Sequence, residues 1–338
     1  MKELLKRNIK ILELSLKNKK EAVSSSKKMI AEHLPELLEL QQKTGRSFLY
    51  ESSACASIPV IRNLEEYYDN DLLHSIRAIV NGSTNFILTK IFEENLSFKD
   101  ALLLAQQLGF AESNPTLDVE GFDAVNKWTL LLNHAYGIVT TPDKILFCGI
   151  QNINKSDAVV ARARGQQIKL VAQAKKLMSG GVGAFVLPQF VTNDSPLAFV
   201  KNEYNGVVIE SGFADQQFFY GKGAGSFPTA SAVLSDISAL RYGYKYEYKK
   251  LYHHEPHKLN DDIYLKVFVS FNKLSDIPKD DFECIEQWHA QEDRKYLSGV
   301  ISLKKLKKNS WWKENGTSLI LEPDPIIENI EVRKLKKK

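Results

Sequence analysis

Between Gly109 and Lys127 the chain reads Gly-Phe-Ala-Glu-Ser-Asn-Pro-Thr-Leu-Asp-Val-Glu-Gly-Phe-Asp-Ala-Val-Asn-Lys, and Glu112, Asp118, Asp123 and Lys127 bring more charge to it than a simple connection needs. A small polar substrate would need such a cluster. Gly121 breaks the chain, and Phe122, Val125, Trp128, Leu131 and Leu132 then recur at helical intervals, so Asp123 and Lys127 stand four apart on one helix face. A lysine held against a carboxylate in a partly dry pocket is a candidate proton donor. The same spacing also suits a surface ion pair worth roughly 0.2–0.5 kcal/mol, and the stretch alone leaves both readings open.

Two other stretches bear on that choice. Ile76 to Val80 reads as a short strand running into Asn81-Gly82-Ser83-Thr84-Asn85, a turn that can cap a helix beginning near Phe86 and whose free amides could hold an anion or a carbonyl. Later, Tyr220-Gly221-Lys222-Gly223-Ala224-Gly225 leads through Pro228 and Thr229 into the helical pattern of Ala232, Val233, Ile237 and Leu240. Glycines there would let a flat ring or a phosphate lie against the backbone. Taken singly, each is also readable as an ordinary capped turn or loop.

With these stretches in order, the chain resembles the homoserine dehydrogenases. The resemblance runs from about Ser24 to Asp236 and includes Tyr50-Glu51-Ser52-Ser53-Ala54-Cys55-Ala56-Ser57-Ile58-Pro59, Asn81 to Asn85, the Gly109 to Lys127 block and Gly223-Ala224-Gly225. It implies NAD(P)-dependent interconversion of L-homoserine and L-aspartate 4-semialdehyde, a step toward threonine and methionine, in a cytoplasmic homodimer or higher homo-oligomer. It also implies roles. Lys127 would move the proton; Glu112, Asp118 and Asp123 would hold the substrate; Lys27, Gly109, Gly223 and Gly225 would meet the cofactor. Glu51 and the main-chain carbonyls of Ala54, Ala56 and Ile58 would bind a monovalent cation such as sodium, oxygen being what a hard cation prefers. The sequence departs from the family pattern in places. Ser26 replaces an asparagine before Lys27, Cys55 and Ser57 stand where glycines are frequent, and Asn114 stands where aspartate is frequent. A non-catalytic or truncated relative acting as an amino-acid-binding or dimer-partner subunit is the alternative.

The elements that must position these residues read as α/β. The apolar run Ile9 to Leu16 is interrupted by Lys10 and Glu13, so the basic N-terminal stretch reads neither as a signal peptide nor as a membrane span; Leu5, Ile9, Leu12 and Leu16 instead mark one face of an amphipathic helix. A strand at Ala22 to Ser24, a helix from about Met29 to Gln42 containing Pro35, and a strand at Ser47 to Glu51 follow, the rhythm of a doubly wound sheet. No Gly-x-Gly-x-x-Gly turn occurs, so residues 1–60 read as a partial Rossmann-type NAD(P)-binding domain without its first half. Residues 61–248 read as an α+β substrate and dimerisation domain. Its helical patterns lie at Ala101 to Leu108 and Phe122 to Tyr136, and its strands at Ile145 to Cys148, Ile168 to Ala172, Ala184 to Leu187 and Val207 to Glu210.

Residues 249–338 read as a small α+β extension, ACT-like, with strands at Ile263 to Phe271, Gly299 to Leu303 and Ser318 to Leu321 and a helix at Phe282 to His289. His253, His254 and His257 have metal-binding side chains but sit in a polar linker with Pro256, which favours solvation over fixed coordination. Among 338 residues, 43% are hydrophobic and 25% charged, ordinary globular values, and the net charge of +4 gives no argument for nucleic acid. Cys55, Cys148 and Cys284 are too widely spaced for a metal motif and read as reduced thiols.

Overall fold

A computed structural model describes residues 2–68, 72–252, 256–273, 277–291 and 294–328. Helix α1 (Lys2–Lys17) buries Leu12 and Leu16 against the layer formed by α2 (Lys27–Glu32), α3 (Leu34–Thr44) and two short parallel strands, β1 (Ala22–Val23) and β2 (Phe48–Leu49). A helix from about Met29 to Gln42 was expected, with Pro35 near its start or at a kink. The structure breaks it at His33, because Pro35 stands in the first turn of α3, where its missing N–H costs nothing, and could not stand inside a continuous helix. After a short turn of helix, α4 (Val60–Arg62), the backbone widens into one π-helical turn at Asn63–Tyr67.

The remaining chain builds one mixed sheet. Its strands are β3 (Leu73–Ile79), β4 (Leu146–Phe147), β5 (Gln166–Lys176), β6 (Val182–Thr192), β7 (Tyr204–Ser211), β8 (Asp215–Lys222), β9 (Ile263–Phe271), β10 (Phe282–Gln291), β11 (Arg294–Ser302) and β12 (Thr317–Glu328). In space they run β10-β11-β9-β12-β6-β5-β3-β7-β8, with β4 added beside β6. Helices α5 (Gly82–Glu93), α6 (Phe98–Gln107), α7 (Thr116–Val119), α8 (Phe122–Tyr136), α9 (Lys155–Ala163), α10 (Ser226–Arg241) and α11 (Leu303–Lys308) complete the fold. From Asp123 to Tyr136 every residue of α8 is buried, polar ones included. This helix is therefore the central strut, packed on β5 and β6 and against α2.

The expected helix at Phe282 to His289 is instead strand β10, antiparallel to β11. Phe282, Ile285 and Trp288 stand three apart, which imitates a helical stripe; the register shifts at Phe282/Cys284 and Ile285/Gln287 reconcile that spacing with a strand. The strands beyond residue 249 also do not stand apart, since β12 lies between β9 and β6 and carries the sheet across that boundary. His253 and His254 lie outside the described residues.

Candidate active site

The Asn81–Asn85 turn and the start of α8 face each other, and Asp118, Asp123 and Lys127 meet between them. Lys127 is 5% exposed, and its Nζ lies 2.9 Å from Asp123 Oδ2 while donating to the Val80 carbonyl at 2.7 Å. Lys27, from the first residue of α2, places Nζ 2.5 Å from Asp123 Oδ1. One buried carboxylate thus bridges two ammonium groups brought from different layers. The surface-pair reading of Asp123 and Lys127 fails on burial, for Asp123 is only 7% exposed.

Asn81 organises the other side. Its Oδ1 accepts from the Thr84 backbone N–H and hydroxyl, both at 2.8 Å, which caps α5, while its Nδ2 donates to Asp118 at 2.7 Å and Asp123 at 2.8 Å. A residue read as a helix cap is also the hinge pin of the acidic pair. Ser83 donates to the Phe110 carbonyl at 2.6 Å and so fastens the turn to the segment carrying Gly109 and Glu112. Glu112 itself is exposed and forms no side-chain hydrogen bond or ion pair among the described residues, although its field reaches Lys27.

These placements set the protonation states. Burial alone would raise the Asp123 carboxyl, but Lys127 and Lys27 outweigh it and hold the group well below the usual carboxylate range. Burial likewise works against the Lys27 ammonium, and Asp123, then Asp118 and Glu112, carry it above the ordinary lysine value. Asp118 moves the other way: burial and the neighbouring Asp123 charge raise it against the pull of Asn81.

Glu51 belongs to an adjoining cluster. Buried to 3% exposure, it accepts the Ile61 and Arg62 backbone N–H groups at 2.8 and 3.0 Å, as an anion capping α4. Its own N–H donates to Asp236 Oδ2 at 3.0 Å, and Asp236 Oδ1 takes Arg62 at 2.7 Å. Asp236 and Arg62 escaped the reading of the sequence, where a lone acid in one helix and a lone arginine in another give no sign that they will meet. Burial nevertheless pushes Glu51 up to about 7. Ala54 and Ala56 lie in the loop between Glu51 and α4, and the Ile58 carbonyl accepts from the Val60 N–H at 2.8 Å. Cys55, fully buried between them, lies within the fields of Lys127, Glu51 and Asp123, so this loop adjoins the lysine cluster.

Gly109 closes the turn after α6, and Gly225 opens α10. At Gly223 a methyl group would stand 1.8 Å from the Asn205 amide, so only glycine lets this backbone pass. The residues present suit the nicotinamide end of a dinucleotide: a half-exposed Lys27 ammonium fixed by Asp123, beside a glycine-rich strand-to-helix turn.

A sequence profile described as homoserine dehydrogenase matches residues 59–238. The homoserine dehydrogenase of Lactococcus lactis is 38% identical over 222 residues, 66% of this chain and 52% of the relative, so the match spans about half the length of that curated protein. Among solved structures, a homoserine dehydrogenase from Thiobacillus denitrificans superposes with a TM-score of 0.77 over 94% of this chain and 80% of its own, at 24% identity, a likeness of fold. A hyperthermophilic archaeal homoserine dehydrogenase mutant in complex with NADPH gives a TM-score of 0.59 at 30% identity, covering 70% of this chain and 68% of its own.

Proposed function

The chain belongs to the homoserine dehydrogenase family, and from that premise we propose that it forms the catalytic body of an NAD(P)-dependent oxidoreductase interconverting L-homoserine and L-aspartate 4-semialdehyde. The observation that carries this reading is the single buried carboxylate, Asp123, fixed between Lys27 at 2.5 Å and Lys127 at 2.9 Å. An ammonium has three protons to donate. Two of those on Lys127 are taken by Val80 and Asp123, and the third is left to a substrate oxygen.

In the reducing direction Lys127 gives that proton as the alkoxide forms, and in the oxidising direction its amine takes the proton back. The nicotinamide cofactor, when bound, supplies or accepts the hydride. Lys27, Gly109, Gly223 and Gly225 would hold its nicotinamide end. Glu112, exposed at the mouth, and Asp118, held by Asn81, would take the substrate ammonium together with Asp123. A monovalent cation such as sodium, held by Glu51 and the carbonyls of Ala54, Ala56 and Ile58, would compensate a carboxylate whose burial is incompletely offset. We place the reaction in a pathway leading to threonine and methionine. Three thiols with no disulfide among the described residues support a reducing, cytoplasmic setting. Exposed Phe218 and Tyr220 on edge strand β8 support assembly into a homodimer or higher homo-oligomer. No helix among the described residues is long and apolar enough to cross a membrane.

Lys127→Ala tests the assignment. Homoserine oxidation is expected to fall about 100- to 10,000-fold, the range for losing a general acid-base group, with the circular dichroism spectrum retained. Turnover that survives the substitution would remove Lys127 from the reaction. Calorimetric titration of the unmodified chain with NADPH, with and without homoserine, checks the cofactor independently.

A further inference from the structure

Lys169 lies on β5, outside every group assigned to the reaction, and is only 2% exposed. Its Nζ donates to the Val200 carbonyl at 2.6 Å and to Asn85 Oδ1 at 3.2 Å, and no carboxylate pairs with it among the described residues. A buried ammonium without an anion is a costly way to tie two neutral oxygens together. Burial pushes the amine down to about 7, with Glu93 and Lys201 acting on it in opposite directions. Even the neutral amine keeps two N–H donors for these two oxygens, so the tie holds in either form.

What the lysine ties down is one segment. Asn85, in the first turn of α5, sets its Nδ2 among the Val200, Asn202 and Tyr204 carbonyls at 3.2, 2.8 and 3.3 Å. The Asn202 N–H reaches Thr89 Oγ1 at 3.1 Å, one turn further along the same helix. Residues 200–205 thus run against α5 before entering β7, and they touch both halves of the site. A methyl group on Gly82 would stand 2.5 Å from the Glu203 carbonyl oxygen, so this backbone supports the turn in which Asn81 clamps Asp118 and Asp123. Two residues on, the fully buried Asn205 lays its amide against Gly223, where a methyl group would overlap it. We propose that Lys169 is a positioning residue of the reaction: from β5 it draws residues 200–205 under both the Asn81–Asn85 turn and Gly223, and so sets the substrate-holding acids and the cofactor turn in register. The roles of that turn and of Gly223 rest on the dehydrogenase reading, whereas the tie itself does not.

Lys169→Met keeps the length of the side chain and removes its donors. Hydrogen–deuterium exchange of the unliganded chain is expected to quicken in residues 81–85 and 200–205, while the end of α8 keeps its protection. The KM for homoserine and the Kd for NADPH are each expected to rise about tenfold, with kcat lowered less, because Val80 and Asp123 still hold Lys127. Thr89→Val removes the hydroxyl that receives the Asn202 N–H at nearly constant side-chain size. It is expected to move the same readouts by a smaller factor, and it decides the matter if Lys169→Met does not fold. A lysine that only stabilised the sheet would lower the melting temperature and leave KM and Kd in place. That result overturns the proposal, as does exchange in residues 81–85 and 200–205 that matches the unsubstituted chain. An unsubstituted chain without turnover would count against the dehydrogenase reading, and the exchange comparison would still uphold or refute the tie.

Discussion

Glu51 accepts two backbone N–H groups and lies near Arg62, yet burial still pushes its carboxyl from 4.5 up to about 7. A shift of that size corresponds to about 3 kcal/mol of disfavoured charge at neutral pH. Because the folded value lies above the unfolded one, the folded chain binds the extra proton between pH 4.5 and about 7. The contribution to stability is thus complete below pH 4.5 and is lost as pH rises through about 7. Urea unfolding of the chain and of Glu51→Gln, compared across that window in sodium-free buffer, is expected to show the unsubstituted chain losing up to about 3 kcal/mol relative to the variant. Adding sodium is expected to restore most of that difference, since a cation at the carboxylate favours its charged form. A difference that stays flat with pH would show the group to be compensated already, and an indifference to sodium would remove the cation from this loop.

Among the elements, the junction of the segment before α9 with the turn before α8 is packed backbone against backbone. A methyl group on Gly149 would stand 1.8 Å from the Val119 carbonyl oxygen and 2.5 Å from Glu120 backbone atoms, and no flexible side chain is there to give way. Gly149→Ala is expected to cost about 1–3 kcal/mol in urea unfolding and, by displacing the turn bearing Asp118, to raise the KM for homoserine more than it lowers kcat. An unchanged KM would uncouple that turn from the segment. Such a contact is invisible in sequence, where Gly149 is one glycine after a short apolar run, whereas α8 was legible from Phe122 to Tyr136 because its apolar residues recur at helical spacing between two glycines. Asp118, Asp123 and Lys127 stood out because they are concentrated in and beside that helix, whereas Lys27, far away in sequence, was singled out by the resemblance alone and meets Asp123 only through the packing of α2 on α8. Asn81 was legible only in part, since a helix cap and a carboxylate clamp require the same side chain, and only the tertiary approach of α8 shows that one asparagine does both. The helix expected over β10 failed because bulges gave a strand the spacing of a helix.

Across the whole molecule, the chain beyond Tyr248 is held by the sheet rather than by a linker. Leu146, Cys148, Phe185 and Leu187 share one buried apolar cluster with Leu265, Val267, Val269, Leu319 and Leu321. Polar ties reinforce it: Arg164 meets Glu322 at 2.9 Å, and the Asp157 carboxylate accepts the Ser318 hydroxyl at 2.9 Å. Removing the last strands would uncover β6 along an edge and expose the phenylalanine and leucine side chains that β9 and β12 now cover. A chain ending at Tyr248 is therefore expected to aggregate or to melt well below the full chain, and the full chain to unfold in a single calorimetric transition whose van't Hoff and calorimetric enthalpies agree. Two resolved transitions, together with a soluble folded fragment from residue 249 onward, would instead establish the C-terminal strands as an independent module.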